Sequence, residues 1–224
     1  MSQKQVFIMP EVSSVGTVIL ANGSFPAPGS LPAQLLERAE RVVCCDGAAD
    51  RLIASGRIPD AIVGDGDSVS TAVRNQYPHL LHFASEQETN DLTKSVRFCV
   101  ANGWRDITII GATGGREDHT LGNISLLVDY VQLADSVRIV TETGVFDAIH
   151  ETAAFACRPH QQVSIFTIKP NVPLRADHLK YPFPEEGFRS WWCGTLNETL
   201  ADSFTVFTDT PTIIFRAFEV KGRE

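Results

Sequence analysis

Carboxylate side chains follow several short apolar runs in the first half of the chain, and a glycine-rich loop lies among them. The segments are Cys45-Asp46-Gly47-Ala48, Gly64-Asp65-Gly66-Asp67-Ser68, Thr89-Asn90-Asp91 and the segment named here the glycine loop, Gly111-Ala112-Thr113-Gly114-Gly115-Arg116-Glu117-Asp118-His119. Folding alone gives no reason to place acids repeatedly at the ends of buried strands. Carboxylates that hold a hard cation, next to backbone N–H groups that hold anions, would suit a metal-bound polyphosphate.

The pair Asp65 and Asp67 is the first candidate for a cation site. In an extended segment, residues two apart point to the same side, so both carboxylates converge. Oxygen ligands of this kind attract Mg²⁺, and Gly66 between them leaves room for a ligand. A polar turn explains the same residues, because Gly-Asp-Gly is also good turn chemistry. Both interpretations stay open on these residues alone.

Asp91 and Lys94 lie three residues apart at a predicted helix start and so share one helix face. Asp91 there also complements the helix dipole, so a capping role with a surface ion pair explains it. The functional alternative needs Asp91 to reach the same cation as the other carboxylates and Lys94 to reach a phosphate.

The glycine loop follows an apolar strand and precedes a helix, a junction where free backbone N–H groups bind anions. Arg116 adds a planar, always-charged fork that suits phosphate oxygens. Asp118 could orient a substrate hydroxyl, support a metal ligand or cap the helix, and His119 could be a local hydrogen-bond partner or a catalyst. The loop matches neither GxxxxGK[ST] nor GxGxxG, which disfavours a P-loop ATPase and a dinucleotide dehydrogenase.

Strand-like and helix-like segments alternate through the first half of the chain. The predicted strands are Thr17–Leu20, Val42–Cys45, Ala61–Val63, Leu80–Phe83, Ile107–Ile110 and Val137–Thr141. The predicted helices are Ala33–Glu40, Ala48–Ser55, Thr71–Gln76, Asp91–Ala101 and Thr120–Leu133. Such alternation predicts a parallel sheet with helices on both faces, in which ligands bind beyond the carboxyl ends of the strands.

From about Glu142 the helical periodicity disappears, and short apolar runs recur between turns rich in proline. This pattern is typical of a small antiparallel sandwich. The fold class predicted is therefore α/β: an N-terminal Rossmann-like parallel sheet with helices on both faces, followed by a small all-β sandwich domain. The predicted domains are 1–141, for nucleotide and metal, and 142–224, the sandwich.

Bulk composition limits the function classes. The chain has 224 residues, of which 43% are hydrophobic, and a net charge of -8, so general affinity for nucleic acid or anionic membrane is not expected. The sequence has neither a secretory signal pattern nor a run near the ~20 apolar residues of a membrane span. The five cysteines are odd in number and lack CxxC spacing, which favours reduced thiols and a cytoplasmic location.

Taken in order and spacing, these motifs resemble those of the thiamine pyrophosphokinase family. The likeness is densest from Val42 to Asn123, where Cys45-Asp46-Gly47-Ala48-Ala49 and the run from Gly111 to Asn123 carry it. Leu179-Lys180-Tyr181-Pro182 and Gly194-Thr195-Leu196-Asn197-Glu198 are similar to the family's sandwich motifs. The resemblance implies Mg²⁺-dependent transfer of pyrophosphate from ATP to the thiamine hydroxyl with release of AMP. It also implies a homodimer with thiamine bound between the subunits.

The resemblance also implies roles for individual residues. Asp65, Asp67 and Asp91 would hold Mg²⁺. The residues expected around the phosphates and the attacking hydroxyl are Asp46, Gln87, Lys94, Arg116 and Asp118. The further nucleotide contacts expected are Gly47, Ser68, Thr113, Gly114, Gly115, His119 and Asn123. Those expected to hold thiamine are Thr195, Asn197 and Phe215.

Four questions stay open at this level. The proton acceptor for the hydroxyl is Asp118 or Asp46. Gly66 stands where the family usually has an aromatic residue, and Leu196 stands where it usually has serine. The rival functions are a metal-dependent phospho- or nucleotidyltransferase acting on another alcohol, and a nucleotide- or thiamine-binding module without catalysis. Trp191 and Trp192 could stack on an aromatic ligand or pack in the core or in a dimer interface.

Overall fold

The computed structural model describes residues 5–13, 15–83 and 88–220. The chain forms two compact units, Glu11–Glu142 and Thr143–Glu224 together with Met1–Pro10. The division falls one residue beyond the predicted boundary at 141. The N-terminal residues differ from the prediction, which placed them in the α/β domain. The reason is the first strand, β1 (Gln5–Phe7), which pairs in parallel with Ala153–Phe155.

The α/β unit contains the alternating elements. Its strands are β2 (Thr17–Leu20), β3 (Arg41–Cys45), β4 (Ala61–Gly64), β5 (Leu81–Phe83), β6 (Asp106–Ile110) and β7 (Ser136–Val140). Its helices are α1 (Leu31–Arg38), α2 (Ala48–Ala54), α3 (Thr71–Gln76), α4 (Asp91–Ala101), α5 (Glu117–Ser125) and α6 (Leu127–Tyr130), with a 3₁₀ turn at Pro78–Leu80. The strands pair in parallel in the order β7-β6-β2-β3-β4-β5. The predicted parallel sheet is therefore confirmed.

Local capping explains where several helices begin. Ser30, Ser70 and Asn90 each accept a hydrogen bond from the backbone N–H three residues later, which satisfies a donor that the helix itself leaves unpaired. Helix α4 therefore begins at Asp91, as predicted, and this places the Asp91 carboxylate at the edge of the sheet where the strands end.

The helix predicted over Thr120–Leu133 is wrong in its extent. The structure has two shorter helices, α5 and α6, with a break at Leu126. At the break the backbone tightens, because Asp129 N donates to the carbonyl of Leu126, three residues back, at 3.0 Å. Leu121, predicted on the buried side, is exposed, whereas Tyr130 is buried.

The second unit is built from strands alone. They are β1 with β8 (Gly144–Ile149), β9 (Ala153–Ala156), β10 (Gln161–Thr167), β11 (Arg175–Ala176), β12 (Gly194–Glu198), β13 (Ser203–Phe207) and β14 (Thr212–Val220). One sheet has the order β1-β9-β13-β11, and the other strands pair antiparallel in the order β12-β10-β14-β8. Apolar residues of both sheets form one buried cluster, which includes Phe155, Ile165, Phe204 and Ile214. The predicted sandwich is confirmed.

The sequence predicted reduced cysteines and no membrane-spanning segment. All five cysteines are free thiols. None of the described helices combines the length and apolar composition of a segment that crosses a membrane.

Candidate active site

A cleft of about 460 Å³ opens in the α/β unit, where the carboxyl ends of its strands meet. It collects most of the residues predicted from the sequence. Those lining it are Asp65, Asp67, Ser68, Asp91, Lys94, Gly115, Arg116, His119 and Asn123. It also collects residues for which no role in the site was predicted from the sequence, namely Asn22, Gly23, Cys45, Thr89, Asn90 and Thr120.

Asp46 lies directly after β3 and is 2% exposed. Its backbone has a φ of 40°, and its Oδ2 accepts a hydrogen bond from Ser68 N at 2.7 Å. Its Oδ1 has no hydrogen-bond partner within the part of the chain that the structure describes. Burial raises the pKa of Asp46, and the nearby carboxylates of Asp67 and Asp91 act in the same direction. A buried oxygen that accepts no bond is the kind of atom that a cation would satisfy.

Asp65 and Asp67 follow β4 and meet Asp46 at the cleft. One oxygen from each of the three carboxylates lies within 4.8 Å of the other two. Ser68 donates its hydroxyl to Asp67 Oδ1 at 2.7 Å, and this bond is the main reason that the pKa of Asp67 is lowered. The structure therefore adds Asp46 to the predicted pair.

Asp91 enters the same region from the start of α4. An ideal Cβ built on Gly64 would lie 2.9 Å from Asp46 Cβ and 3.1 Å from Asp91 Cγ, so these two side chains flank Gly64. Any side chain at position 64 would push them apart. Burial raises the pKa of Asp91, and repulsion from Asp65 contributes. Lys94 is 7% exposed, and its Nζ lies 3.3 Å from Asp91 Oδ1. The predicted helix-face pair therefore forms inside the cleft.

The glycine loop is bonded to the loop after β2, which the sequence interpretation treated only as a turn. Gly23 N donates to Gly111 O and Ser24 N donates to Thr113 O, both at 2.8 Å. A Cβ on Gly23 would collide with both carbonyl oxygens, so only glycine allows this approach. The turn residues after β2 could have indicated this contact, because β2 is the neighbour of β6, the strand that precedes the glycine loop.

Arg116 and Asp118 form a bidentate ion pair at the mouth of the cleft, with nitrogen–oxygen distances of 3.1 and 2.6 Å. Both side chains are more than half exposed. The pair lowers the pKa of Asp118 and raises that of Arg116. Asp118 also accepts a bond from His119 N at 3.0 Å. The charged Asp118 carboxylate thus holds the Arg116 guanidinium in place at the mouth of the cleft.

The remaining predicted nucleotide residues support the loops. Gly47 caps α2, where a Cβ would lie 3.1 Å from Ser68 Cβ. Thr113 accepts the Ser24 N–H, and Gly114 has a φ of 79° with Ser24 packed where a Cβ would be. Asn123 donates its amide to Ala112 O at 2.9 Å. Gln87 lies outside the described residues.

The segment of residues 64–68 is named here the metal loop, after the cation that the sequence predicts for it. It contains Gly66, with a φ of 84°, in the left-handed region that favours glycine. A Cβ at this position would lie 2.8 Å from Cζ of Phe83. The Arg74 guanidinium lies 5.5 Å from the centre of the same ring. The Phe83 ring of β5 thus occupies the space beside the loop that a side chain at position 66 would need.

The residues predicted to hold thiamine lie in the β unit. Asn197 is 4% exposed, and its amide bonds the Tyr181 backbone in both directions, at 3.1 and 2.8 Å. Thr195 is half-buried in β12. Phe215 is half-buried in β14, and its ring centre lies 4.6 Å from that of Phe146.

Next to these residues, β12 carries an exposed apolar surface. Leu196 is 76% exposed and has a φ of 60°, a strained conformation for a bulky residue, at an irregularity in the pairing with β10. Trp191 and Trp192 are more than half exposed, and the Trp191 ring lies 5.6 Å from that of Phe166. Packing of the two tryptophans in the core is therefore excluded.

A carboxylate cluster, a buried lysine and an anion-binding loop at one edge of a parallel sheet define a class of protein that handles metal-bound phosphates. Two family models match this chain. One is described as "Thiamin pyrophosphokinase, catalytic domain" and matches residues 32–141, and the other as "Thiamin pyrophosphokinase, substrate-binding domain" and matches residues 144–215. The chain belongs to the thiamine pyrophosphokinase family.

Individual relatives agree with this assignment. Thiamine pyrophosphokinase 1 of Oryza sativa subsp. japonica is 31% identical over 58% of this chain and 56% of its own length. Thiamin pyrophosphokinase 1 of Caenorhabditis elegans is 27% identical over 66% of this chain and 65% of its own length. The matches thus span less than two thirds of either relative. The solved structure of thiamin pyrophosphokinase from Candida albicans has a TM-score of 0.75, is 18% identical and covers 98% of this chain and 94% of its own, which shows a shared fold.

Proposed function

We propose that this protein is a thiamine pyrophosphokinase: it transfers pyrophosphate from ATP to the hydroxyl of thiamine and releases AMP. The observation that carries the proposal is the buried, unpartnered Oδ1 of Asp46 beside Asp65 and Asp67, which line a cleft together with residues of the glycine loop. The match to both domains of one family supports the same activity.

The acidic cluster fits a hard divalent cation such as Mg²⁺, because its donors are oxygens and one of them lacks any other partner. We assign Asp46, Asp65 and Asp67 as ligands, with Asp91 as a further ligand. Its carboxylate lies next to Asp46 across Gly64. When bound, the cation would neutralise charge on the nucleotide oxygens.

The protein's own residues then supply positioning and charge. The N–H groups of the glycine loop and the Arg116 guanidinium hold the phosphates, and Lys94 contributes a second cation. Gly47, Ser68, Gln87, Thr113, Gly114, Gly115, His119 and Asn123 complete the proposed nucleotide site. Asp118 orients Arg116, since the two form a bidentate pair. The hydroxyl of thiamine attacks the β-phosphorus in line, and Asp46 or Asp118 accepts its proton.

The β unit is proposed to bind thiamine through Thr195, Asn197 and Phe215 and to form the homodimer, with the site at the subunit interface. The exposed tryptophans of this unit support an interface, since aromatic residues are enriched at such surfaces. The free thiols support a cytoplasmic location.

We also propose a Rossmann-like arrangement with helices on both faces of the sheet. The chain moves from β2 to β3, β4 and β5 in one direction and then returns to β6 and β7 on the other side of β2. Right-handed crossovers in opposite directions place their helices on opposite faces. We therefore place α1 to α3 on one face of the parallel sheet and α4 to α6 on the other in this proposal.

A coupled assay of AMP release, with ATP and Mg²⁺ and with thiamine present or absent, tests the activity. We expect AMP only when thiamine is present, in equal amounts with thiamine diphosphate. Release with a different alcohol but not with thiamine would reassign the acceptor. Tight nucleotide binding with no AMP over hours would instead indicate a binding module.

A further inference from the structure

A chain of hydrogen bonds runs from the protein interior to the cleft, and of its four side chains only Asn123 has a place in the nucleotide site proposed above. Tyr130 on α6 is 1% exposed, and its hydroxyl lies 2.8 Å from the Thr93 hydroxyl on α4. Thr93 Oγ1 donates to Asn90 Oδ1 at 2.8 Å. Asn90 Nδ2 donates to Asn123 Oδ1 at 3.2 Å, and Asn123 donates to the carbonyl of Ala112 at 2.9 Å.

The direction of every bond in this chain is fixed. A hydroxyl has a single hydrogen, and that of Thr93 is given to Asn90. The Tyr130 hydroxyl must therefore be the donor to Thr93. Burial raises the pKa of Tyr130, so the phenol keeps the hydrogen that it donates. Both asparagine amides have only one orientation that satisfies these bonds, so the chain specifies a single arrangement.

The elements that this chain joins carry the two halves of the candidate site. Asn90 directly precedes Asp91 and caps α4 by accepting the Thr93 N–H at 2.9 Å. Asn123 lies on α5, and its partner Ala112 belongs to the glycine loop. The connection between the carboxylate side and the anion-binding side of the cleft thus passes through the amides of Asn90 and Asn123. The hydroxyls of Thr93 and Tyr130 hold the Asn90 amide from the interior, because Tyr130 bonds Thr93 and Thr93 bonds Asn90.

We propose that Asn90, Thr93, Asn123 and Tyr130 are positioning residues that hold the start of α4 at a fixed distance from the glycine loop. This inference rests on the proposed function and assigns Asn123 a role in geometry, since its amide is already bonded on both sides. A ligand that bridges the carboxylates and the loop needs both held together, because small displacements of reacting groups lower rates strongly.

The test uses Tyr130→Phe and Thr93→Val, which remove one hydroxyl each and keep the shape. Thr93→Ser restores a hydroxyl. Thr212→Val is the matched control, because Thr212 is fully buried in the β unit and donates to Thr210 O at 3.0 Å. Thr212→Val therefore loses an equivalent buried hydroxyl away from the cleft.

Two measurements follow for each variant. Hydrogen–deuterium exchange reports the opening of residues 111–123 and needs no activity. We expect about tenfold faster exchange there in Tyr130→Phe and Thr93→Val, the loss expected for one buried hydrogen bond, and ordinary exchange in Thr93→Ser and Thr212→Val. Steady-state kinetics should show kcat/KM for Mg-ATP lowered about tenfold while KM for thiamine changes less than about twofold.

Unchanged exchange of residues 111–123 in both Tyr130→Phe and Thr93→Val would overturn the proposal. Equal changes in Thr93→Val and Thr212→Val would also overturn it, because the effect would then be one of general stability. If the unaltered chain releases no AMP, the proposed function fails, and the exchange measurement still decides on the positioning role.

Discussion

Two buried carboxylates, one in each unit, show how differently a fold can use the same side chain. Asp147 in β8 is completely buried, and its Oδ2 lies 2.6 Å from Arg216 Nη2. Arg216, also fully buried, donates further bonds to the carbonyls of Phe7, Ile8 and Ala156. Asp46 is nearly as buried, yet no cation of the described chain is bonded to it, and its neighbours are the carboxylates of Asp65 and Asp67.

The difference separates a structural charge from a functional one. A buried charge is tolerated when its partners are built into the protein, and Asp147 has such a partner. Burial raises the pKa of Asp46, the neighbouring acids raise it further, and no cation of the described chain compensates its negative charge. The fold therefore accepts a local loss of stability at the end of β3 that a bound cation would remove.

Breaking the structural pair should give the largest effect. Arg216→Ala leaves Asp147 buried with its cation removed, and it removes the bonds to Phe7 and Ile8 at the end of β1 and to Ala156 in β9. We expect the free energy of unfolding to fall by about 3–5 kcal/mol, measured by urea denaturation. The double variant Asp147→Leu with Arg216→Met should recover part of this loss. A single-variant loss below about 1 kcal/mol would contradict the structural role.

Removing one exposed charge from the cleft should affect the reaction and not the fold. We expect Asp67→Ala and Arg116→Ala each to lower kcat/KM for AMP formation by about a hundred- to a thousandfold, or roughly 3–4 kcal/mol. Both side chains are exposed, so the melting temperature should change little.

The matched control for this prediction is Arg105→Ala. Arg105 also forms an exposed ion pair, with Asp135 at 2.7 Å, and it does not line the cleft. It should keep normal turnover. Near-normal turnover in both Asp67→Ala and Arg116→Ala would contradict the assignment of the cleft as the active site.

Replacing Asp46 by a neutral residue should change the stability of the protein in a way that depends on pH. Because its folded-state pKa is raised, the stability that it contributes is present below its ordinary pKa and is lost as the pH rises through the raised value. Without metal, Asp46→Asn should therefore be more stable than the unaltered chain at pH 7, and this advantage should disappear in acid.

Adding Mg²⁺ should stabilise the unaltered chain more than Asp46→Asn. At a metal concentration about a hundred times Kd, the unaltered chain should gain about 2.7 kcal/mol, and Asp46→Asn clearly less. Asp209→Asn, an exposed carboxylate of the β unit, serves as the control and should respond like the unaltered chain. Equal metal stabilisation in all three proteins would place the cation elsewhere.

The smallest effect is expected at the metal loop. Gly66→Ala puts a Cβ in the left-handed region and against the Phe83 ring, which should destabilise the fold by about 1–2 kcal/mol and weaken Mg²⁺ binding. Adding Phe83→Ala removes the collision but not the backbone strain, so it should recover only part of the loss. Calorimetric Mg²⁺ titration checks this, and full additivity of the two changes would show that the ring does not restrain position 66.

Much of the α/β unit was predictable because its signals are local. Apolar runs of β-branched residues gave the parallel strands, and Asn90 gave the start of α4 correctly. The helix break at Leu126 was missed, since the apolar spacing continues through it and only the backbone bonding changes there. Strand β1 was missed because its partner, Ala153–Phe155, is far away along the chain.

The candidate site was also predictable only in part. Asp65, Asp67 and the glycine loop could be identified from residue types and spacing, and the cleft brings them together. The resemblance placed Asp46 at the phosphates and the attacking hydroxyl, but its position as a third carboxylate beside Asp65 and Asp67 was not predicted, nor was the loop of Asn22 and Gly23. Both depend on which strands are neighbours, and the sheet order is set by packing.

The sequence by itself determined which chemical groups this protein has and that they occur at strand ends, because side-chain periodicity and turn chemistry are properties of short segments. Only the tertiary structure decided that Asp46 is buried with an unpartnered oxygen and that Asn197 bonds the Tyr181 backbone. Whether a polar atom is satisfied depends on neighbours from distant parts of the chain, and these are brought together only when the sheets form.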